Sequence, residues 1–219
     1  MGEVDEAVAA ARRDLGAAYR RLGHAVIGHH ADVDDLATTA AALDRFAADL
    51  EQGPPRTRIE MRPSGSHDDD PPADGEEMLT YDDRPISGRA APLGVDVHVA
   101  RDGDEAVGSI TFGAAHEGAP GRCHGGLVSA LFDDVFGFVL ALERRPGFTG
   151  TLNVRYEHGV PLHRRLECRV RLDRREGRKL MLSGELSGPG DDGAATVFTR
   201  ATAIFVTIDP ELFAITARA

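Results

Sequence analysis

Residues 121–137 read Gly-Arg-Cys-His-Gly-Gly-Leu-Val-Ser-Ala-Leu-Phe-Asp-Asp-Val-Phe-Gly, a His-Gly-Gly turn leading into a helix apolar on almost every side. Such a helix has no solvated face, so the rest of the chain must enclose it. Asp133 and Asp134 stand next to each other inside it. A carboxylate in that setting loses much of its hydration unless a partner compensates, and perturbed carboxylates of this kind concentrate at functional sites. Successive helical residues point about 100° apart, so the two acids cannot serve one centre together. The purely structural alternative ties one of them to backbone or an arginine and leaves the other at a solvent-facing gap.

The chain has 219 residues, enough for one domain with an appendage or for two small domains. A formal net charge of -11 argues against a nucleic-acid binder, which would need a basic face. No run approaches the ~20 consecutive apolar residues of a membrane span. The opening Met-Gly-Glu-Val-Asp-Glu lacks the basic start of a secretory signal. Cys123 and Cys168 make no disulfide framework. A reducing, cytoplasmic setting is the expectation.

Three- and four-residue spacing of Val4, Ala7, Val8, Ala11, Leu15, Tyr19, Leu22 and Val26 predicts a helix over 3–29. Asp32 or Asp34 can cap a second helix over about 35–51, with the stripe Leu36, Ala40, Leu43, Phe46, Ala47 and Leu50. Gly53-Pro54-Pro55 stops it. These two helices predict an N-terminal helical hairpin over 1–52. Seven prolines fall between 53 and 92, with Asp68-Asp69-Asp70-Pro71-Pro72 among them. The expectation is a Pro/Asp-rich, partly disordered linker over 53–84.

From 94 onward the period becomes two. Val95, Val97 and Val99 alternate with polar neighbours, and Asp102-Gly103-Asp104 signals a hairpin into 106–114. After the apolar helix at 125–143 come strand-like runs at 151–157, 166–172, 179–187 and 196–207. Two strands, one buried helix and four antiparallel strands fit an α+β domain over 85–219 in which a twisted sheet wraps the helix.

That order resembles the hotdog-fold thioesterases, in the branch of the phenylacetic-acid-pathway and THEM-type acyl-CoA thioesterases. The likeness runs over about 85–208. Its residues are Glu117-Gly118-Ala119-Pro120-Gly121, His124-Gly125-Gly126, and Asp133 nine positions after the histidine. They continue with Thr149, Leu152-Asn153-Val154-Arg155-Tyr156, Val160-Pro161-Leu162 and Glu176-Gly177-Arg178-Lys179. The resemblance implies hydrolysis of an acyl-CoA thioester to a free acid and CoA, with no metal or redox cofactor. It assigns Asp133 as general base or nucleophile and Gly125 as oxyanion donor, with His124 and Thr149 positioning substrate or water. Relatives that place an Asn or Gln upstream of the histidine have no counterpart here, where Gly118 to Cys123 carries no amide side chain.

The chemistry is consistent with those roles. Gly125 and Gly126 fall where the chain enters the helix, at its positive end, with amides that have no partner within the helix. An oxyanion donor is worth about 2.7–4 kcal/mol in a transition state. Gly126 is a further substrate contact. Eight residues of helix separate Gly125 from Asp133, a rise of roughly 12 Å. Groups acting on one carbonyl must lie within about 3–3.5 Å of the reacting atoms. One helix therefore cannot supply both, and a homodimer or dimer of dimers must bring one chain's glycine to the other's aspartate. Eleven basic residues against four acidic ones between 144 and 179 offer a rim for CoA phosphates, with Arg178 and Lys179 as the candidates.

Other candidates are weaker. His24, His29 and His30 near Asp32, Asp34 and Asp35 do not repeat a metal-ligand spacing. Ser129 has no base at a defined spacing, and Cys123 fits a packed cysteine better than a nucleophile. The rival functions are a hydratase or dehydratase of acyl thioesters on the same fold, and a non-catalytic acyl-CoA-binding or interaction protein that docks partners through 1–52.

Overall fold

The computed structural model describes residues 3–56 and 71–209. The helical periodicity is realised in α1 (Glu3–Gly28) and α2 (Val33–Glu51). Asp32 is the N-cap residue of α2, but its side chain makes no capping bond. The period-two segments become β1 (Val97–Asp102) and β2 (Glu105–Thr111), joined by a turn in which Gly103 has φ +61°. A 3₁₀ turn (Ala114–His116) and a small ribbon of β3 (Glu117–Ala119) and β4 (Arg122–Cys123) then lead into α3 (Gly125–Leu142). β5 (Gly147–Tyr156), β6 (Arg165–Glu176), β7 (Lys179–Pro189) and β8 (Ala195–Thr207) complete the sheet.

Six strands pair antiparallel in the order β1-β2-β6-β7-β8-β5, and α3 lies against one face of them. The alternation read from β6 is the one that builds the core. Leu166, Cys168 and Val170 point inward, while Glu167, Arg169 and Arg171 face outward. Against them α3 sets Val128, Leu131, Phe132, Val135, Phe136 and Val139, all essentially without exposure. Each such side chain contributes roughly 1.5–3 kcal/mol by leaving water. By length and composition α3 could cross a membrane, but its burial under the sheet makes it the core helix of this domain.

Only one of the paired acids is buried. Asp134 is 7% exposed, and Asp133 is exposed on the surface of the single chain. The expectation of two acids enclosed with the helix is corrected accordingly, and the split follows from the 100° step between them. Arg84 answers Asp134. Its Nε donates to Asp134 Oδ1 at 2.5 Å, one Nη donates to the Asp134 carbonyl at 2.6 Å, and its guanidinium lies 4.8 Å from the Phe138 ring centre. Gly137 makes room for it, since a Cβ there would fall 2.3 Å from an Arg84 Nη.

Arg84 belongs to the segment read as linker. The heart of that expectation, 57–70, lies outside the described residues. Within 71–96, residues 75–78 are laid along β1. Gly75 and Met78 amides donate to Arg101 and Val99 carbonyls, and Met78 and Val95 join the core. α1 docks on this segment through its small and polar face. Gly16 approaches so closely that a Cβ would meet the Ala90 backbone at 2.7 Å, Arg13 pairs with Asp82 at 2.9 Å, and Arg20 donates to the Arg89 and Ala91 carbonyls. The apolar stripes of the two helices stay largely exposed. Leu15, Tyr19 and Val26 of α1 are exposed, and α2 buries no residue.

Asp134→Ala is expected to lower unfolding free energy by about 3 kcal/mol, because it strands a largely buried guanidinium. Urea denaturation at neutral pH measures this. A loss under about 1 kcal/mol would show that the pair behaves as a surface salt bridge.

Candidate functional site

The face of α3 that the sheet leaves open carries Gly125, Ser129 and Asp133, spaced four apart and so aligned on one side. β5, an edge strand of the sheet, runs beside this stripe. Thr149 Oγ1 donates to Asp133 Oδ1 at 2.7 Å. At the other end the Tyr156 hydroxyl donates to the Gly125 carbonyl at 2.7 Å and lies 2.6 Å from Ser129 Oγ. A bulge at Gly150 makes both arrangements compatible. Thr149 pairs with Phe205 and Leu152 with Ala203, so the inward-facing positions are odd-numbered before the bulge and even-numbered after it.

The His-Gly-Gly turn is tightly bonded. His124 is the N-cap of α3, and its Nδ1 accepts from the Gly126 amide at 3.0 Å. This leaves the proton of the neutral ring on Nε2. The His124 amide donates to the His116 carbonyl, and its own carbonyl accepts from Leu127 and Val128. Gly118 presses against it, as a Cβ there would sit 2.7 Å from His124 Cα. Of the two glycine amides expected to be unpartnered, that of Gly126 is engaged by the imidazole. Among the described residues the Gly125 N–H has no partner, so it is the donor left available at the helix end.

Arg178 and Lys179 lie at the β6–β7 turn, at the same end of the sheet as Thr149. The Thr207 amide donates to the Arg178 carbonyl, and Thr207 in turn pairs with Gly147 at the start of β5. Arg178 Nε donates to the Thr207 carbonyl at 3.1 Å, and both side chains are exposed. Much of the remaining basic stretch is already paired: Arg169 with Asp102, Glu105 and Glu167, and Arg175 with Glu143. Burial pushes the Cys123 thiol up to about 12, which keeps it protonated and poorly nucleophilic at neutral pH. Among the described residues no group of three His, Cys, Asp or Glu could hold a metal ion. A groove of about 700 Å³ lined by His98, Ser109, Arg165 and Glu167 includes none of the site residues.

Sequence reasoning placed Asp133, Thr149, Gly125 and His124 in one site without their contacts. It missed Tyr156 and Ser129 as partners of the glycine turn, although the spacing of Gly125, Ser129 and Asp133 carries the signal. It also missed the link from α1. His24 Nδ1 accepts from the Ala115 amide at 3.0 Å, and the His24 ring stands edge-on to His116, 4.6 Å between centres. His116 Nδ1 accepts from the Gly113 amide at 3.1 Å. Burial, with a smaller contribution from His24, pushes His116 down to about 4, and burial and His163 push His24 below its ordinary value.

Comparison with known proteins agrees with this architecture. Residues 120–194 match the model of the thioesterase superfamily. The crystal structure of a thioesterase superfamily protein superposes with a TM-score of 0.70 at 24% identity, covering 89% of this chain and 94% of that one. The domain of α3 and its sheet has the hotdog fold and is similar to the thioesterase superfamily over residues 120–194. Within it, the chain is homologous to acyl-coenzyme A thioesterases THEM4 and THEM5. It is 33% identical over 104 residues to THEM4 of Mus musculus, covering 47% of this chain and 44% of that protein. It is 29% identical over 144 residues to THEM4 of Bos taurus, covering 65% and 58%, and 29% identical over 99 residues to THEM5 of Homo sapiens, covering 45% and 39%. The matches span about half the length of those relatives.

The histidine contact gives stability a pH dependence of defined sign. Both folded-state values are lowered, so the unfolded chain binds more protons as the pH falls. The stabilisation is complete above about pH 6.5 and is lost progressively toward pH 4, where protonation removes the Nδ1 acceptors. Thermal melts across this range should fall with pH in the wild type and flatten in His116→Gln. An unchanged slope in the variant would remove His116 from the effect.

Proposed function

We propose that the chain is an acyl-CoA thioesterase that hydrolyses its substrate to a carboxylic acid and CoA, acting as a homodimer or dimer of dimers with each site shared between two protomers. The observation that carries this reading is the single stripe of α3. It presents an accessible carboxylate, Asp133 aligned by Thr149, and a free amide at Gly125.

The stripe explains why two chains are needed. Eight residues, a rise of about 12 Å, part the amide from the carboxylate. β5 carries Thr149 near one end and Tyr156 at the other, each beside its half of the site. β5 is an edge, and edges of this kind pair with a second copy. If two copies of β5 meet antiparallel about a two-fold axis, the Asp133 end of one protomer faces the Gly125 end of its partner. Two sites follow from one contact.

In each site Asp133 takes a proton from a water molecule that attacks the thioester carbonyl, while the partner's Gly125 N–H receives the negative charge forming on oxygen. Collapse of the tetrahedral species breaks the carbon–sulfur bond, and the CoA sulfur leaves with the proton. Direct attack by Asp133, through a mixed anhydride that water then opens, uses the same groups. Thr149 fixes the carboxylate rotamer through one oxygen and leaves the other for the proton. His124 shapes the turn, its Nδ1 already given to Gly126 and its Nε2–H left for substrate. Arg178 and Lys179 meet the CoA phosphates. A hydratase on this fold would need a histidine paired with the carboxylate, whereas the partner of Asp133 is Thr149.

CoA release from a panel of acyl- and aroyl-CoAs tests the proposal. Asp133→Asn should lower kcat by about a hundredfold or more with the fold preserved. A rate near wild type would take Asp133 out of the mechanism. Mixing Asp133→Ala with Gly125→Val protomers should restore one of the two sites in each mixed dimer. No recovery in a demonstrated mixed dimer would count against the shared site.

A further inference from the structure

The Gly125 peptide is held from the side by groups that the proposed chemistry does not use. The Tyr156 hydroxyl has one proton, and the Gly125 carbonyl takes it, since a carbonyl can only accept. The 2.6 Å contact between Tyr156 and Ser129 must therefore run the other way, with Ser129 Oγ–H donating to the tyrosine oxygen. Ser129, Tyr156 and Gly125 form a directed relay from the second turn of α3, across to β5, and back to the helix start. The phenol ring also lies close to Gly125, where a Cβ would meet Tyr156 Cζ at 3.3 Å.

This relay acts on a peptide that needs it. Gly125 has no side chain, which lets a thioester approach its N–H but also leaves its φ and ψ freer than those of any other residue. An amide that swivels is a poor oxyanion donor, because such donors work by being fixed before charge develops. The next peptide, Gly125–Gly126, is clamped at both poles. Its carbonyl is held by Tyr156 and its N–H by His124 Nδ1. The His124–Gly125 peptide, which carries the Gly125 N–H, is held through the His124 carbonyl by the Leu127 and Val128 amides, so with the following plane also fixed the Gly125 amide keeps one direction.

We infer that Tyr156 is a positioning residue that aims the Gly125 amide at the substrate carbonyl, with Ser129 orienting the tyrosine hydroxyl. This rests on the thioesterase reading above. It gives Ser129 a function other than that of a nucleophile, and it ties the edge strand to the helix terminus at the Gly125 half of the site as Thr149 ties it at the Asp133 half.

Tyr156→Phe keeps the ring and removes the hydroxyl. Its kcat for CoA release should fall about tenfold, part of the 10²–10³ carried by a whole oxyanion donor, with KM within about twofold. Ser129→Ala should fall less, Ser129→Thr should recover, and the double variant Tyr156→Phe/Ser129→Ala should be no slower than Tyr156→Phe alone, because the serine acts only through the tyrosine. Amide hydrogen exchange at Gly126, whose N–H is bonded to His124 Nδ1 and shares a peptide with the carbonyl that Tyr156 holds, should quicken in Tyr156→Phe when read by NMR, whether or not an acyl-CoA is turned over. A kcat near wild type with unchanged Gly126 exchange would overturn the inference, as would a raised KM at constant kcat, which would make Tyr156 a direct substrate contact. Full additivity in the double variant would remove Ser129. A wild-type protein that releases no CoA, or one indifferent to Asp133→Asn, would instead overturn the thioesterase reading, and the exchange measurement would still decide the clamp.

Discussion

Enclosure of α3 governs this molecule. A helix with Phe132, Phe136, Leu131 and Val139 around most of its girth cannot stand in water, and the six-stranded sheet covers it. Complete coverage would leave an inert core. Coverage stops short along one stripe beside β5, and that stripe holds the glycine, serine and aspartate from which a site can be built. The same asymmetry sorts the paired acids, turning Asp134 into the protein and Asp133 to the open side.

The N-terminal extension is less of an appendage than its composition suggests. Arg84 reaches from it into the body of the domain and neutralises Asp134, one residue from the candidate base. α1 meets the 3₁₀ turn through His24, and the carbonyl of His116 holds the amide of His124 at the mouth of the helix. Two separate contacts therefore run from residues before β1 to either end of the α3 stripe. α2 takes no part in this and keeps its apolar side in the open.

Much of this was legible in the chain. The change of period at 94 reports the sheet, because alternate burial in β6 and β8 is what a strand packed on one face requires. The apolar run 125–143 reads as a core helix, and His-Gly-Gly ahead of it as its start. What stayed hidden depends on distance along the chain. Which aspartate is buried is decided by Arg84, fifty positions away, in a segment whose prolines and acids read as linker. α1 docks by Gly16 and its arginines, which no periodicity marks, and not by the apolar stripe that the spacing picks out. That His124 caps the helix is one of the readings a histidine ahead of it allows, and the bond from the Gly126 amide to its Nδ1 decides for it.

The bulge at Gly150 carries a consequence for how this sequence can change over time. A strand has parity, and one extra residue reverses it, which is how Thr149 and Tyr156 come to look the same way from positions seven apart. Substitutions along β5 leave that parity alone, so drift in composition is tolerated wherever packing allows. Loss of a single residue between 149 and 152 would spare every side chain in the site and still turn one hydroxyl to the far side of the sheet. In this strand, length is under tighter constraint than identity.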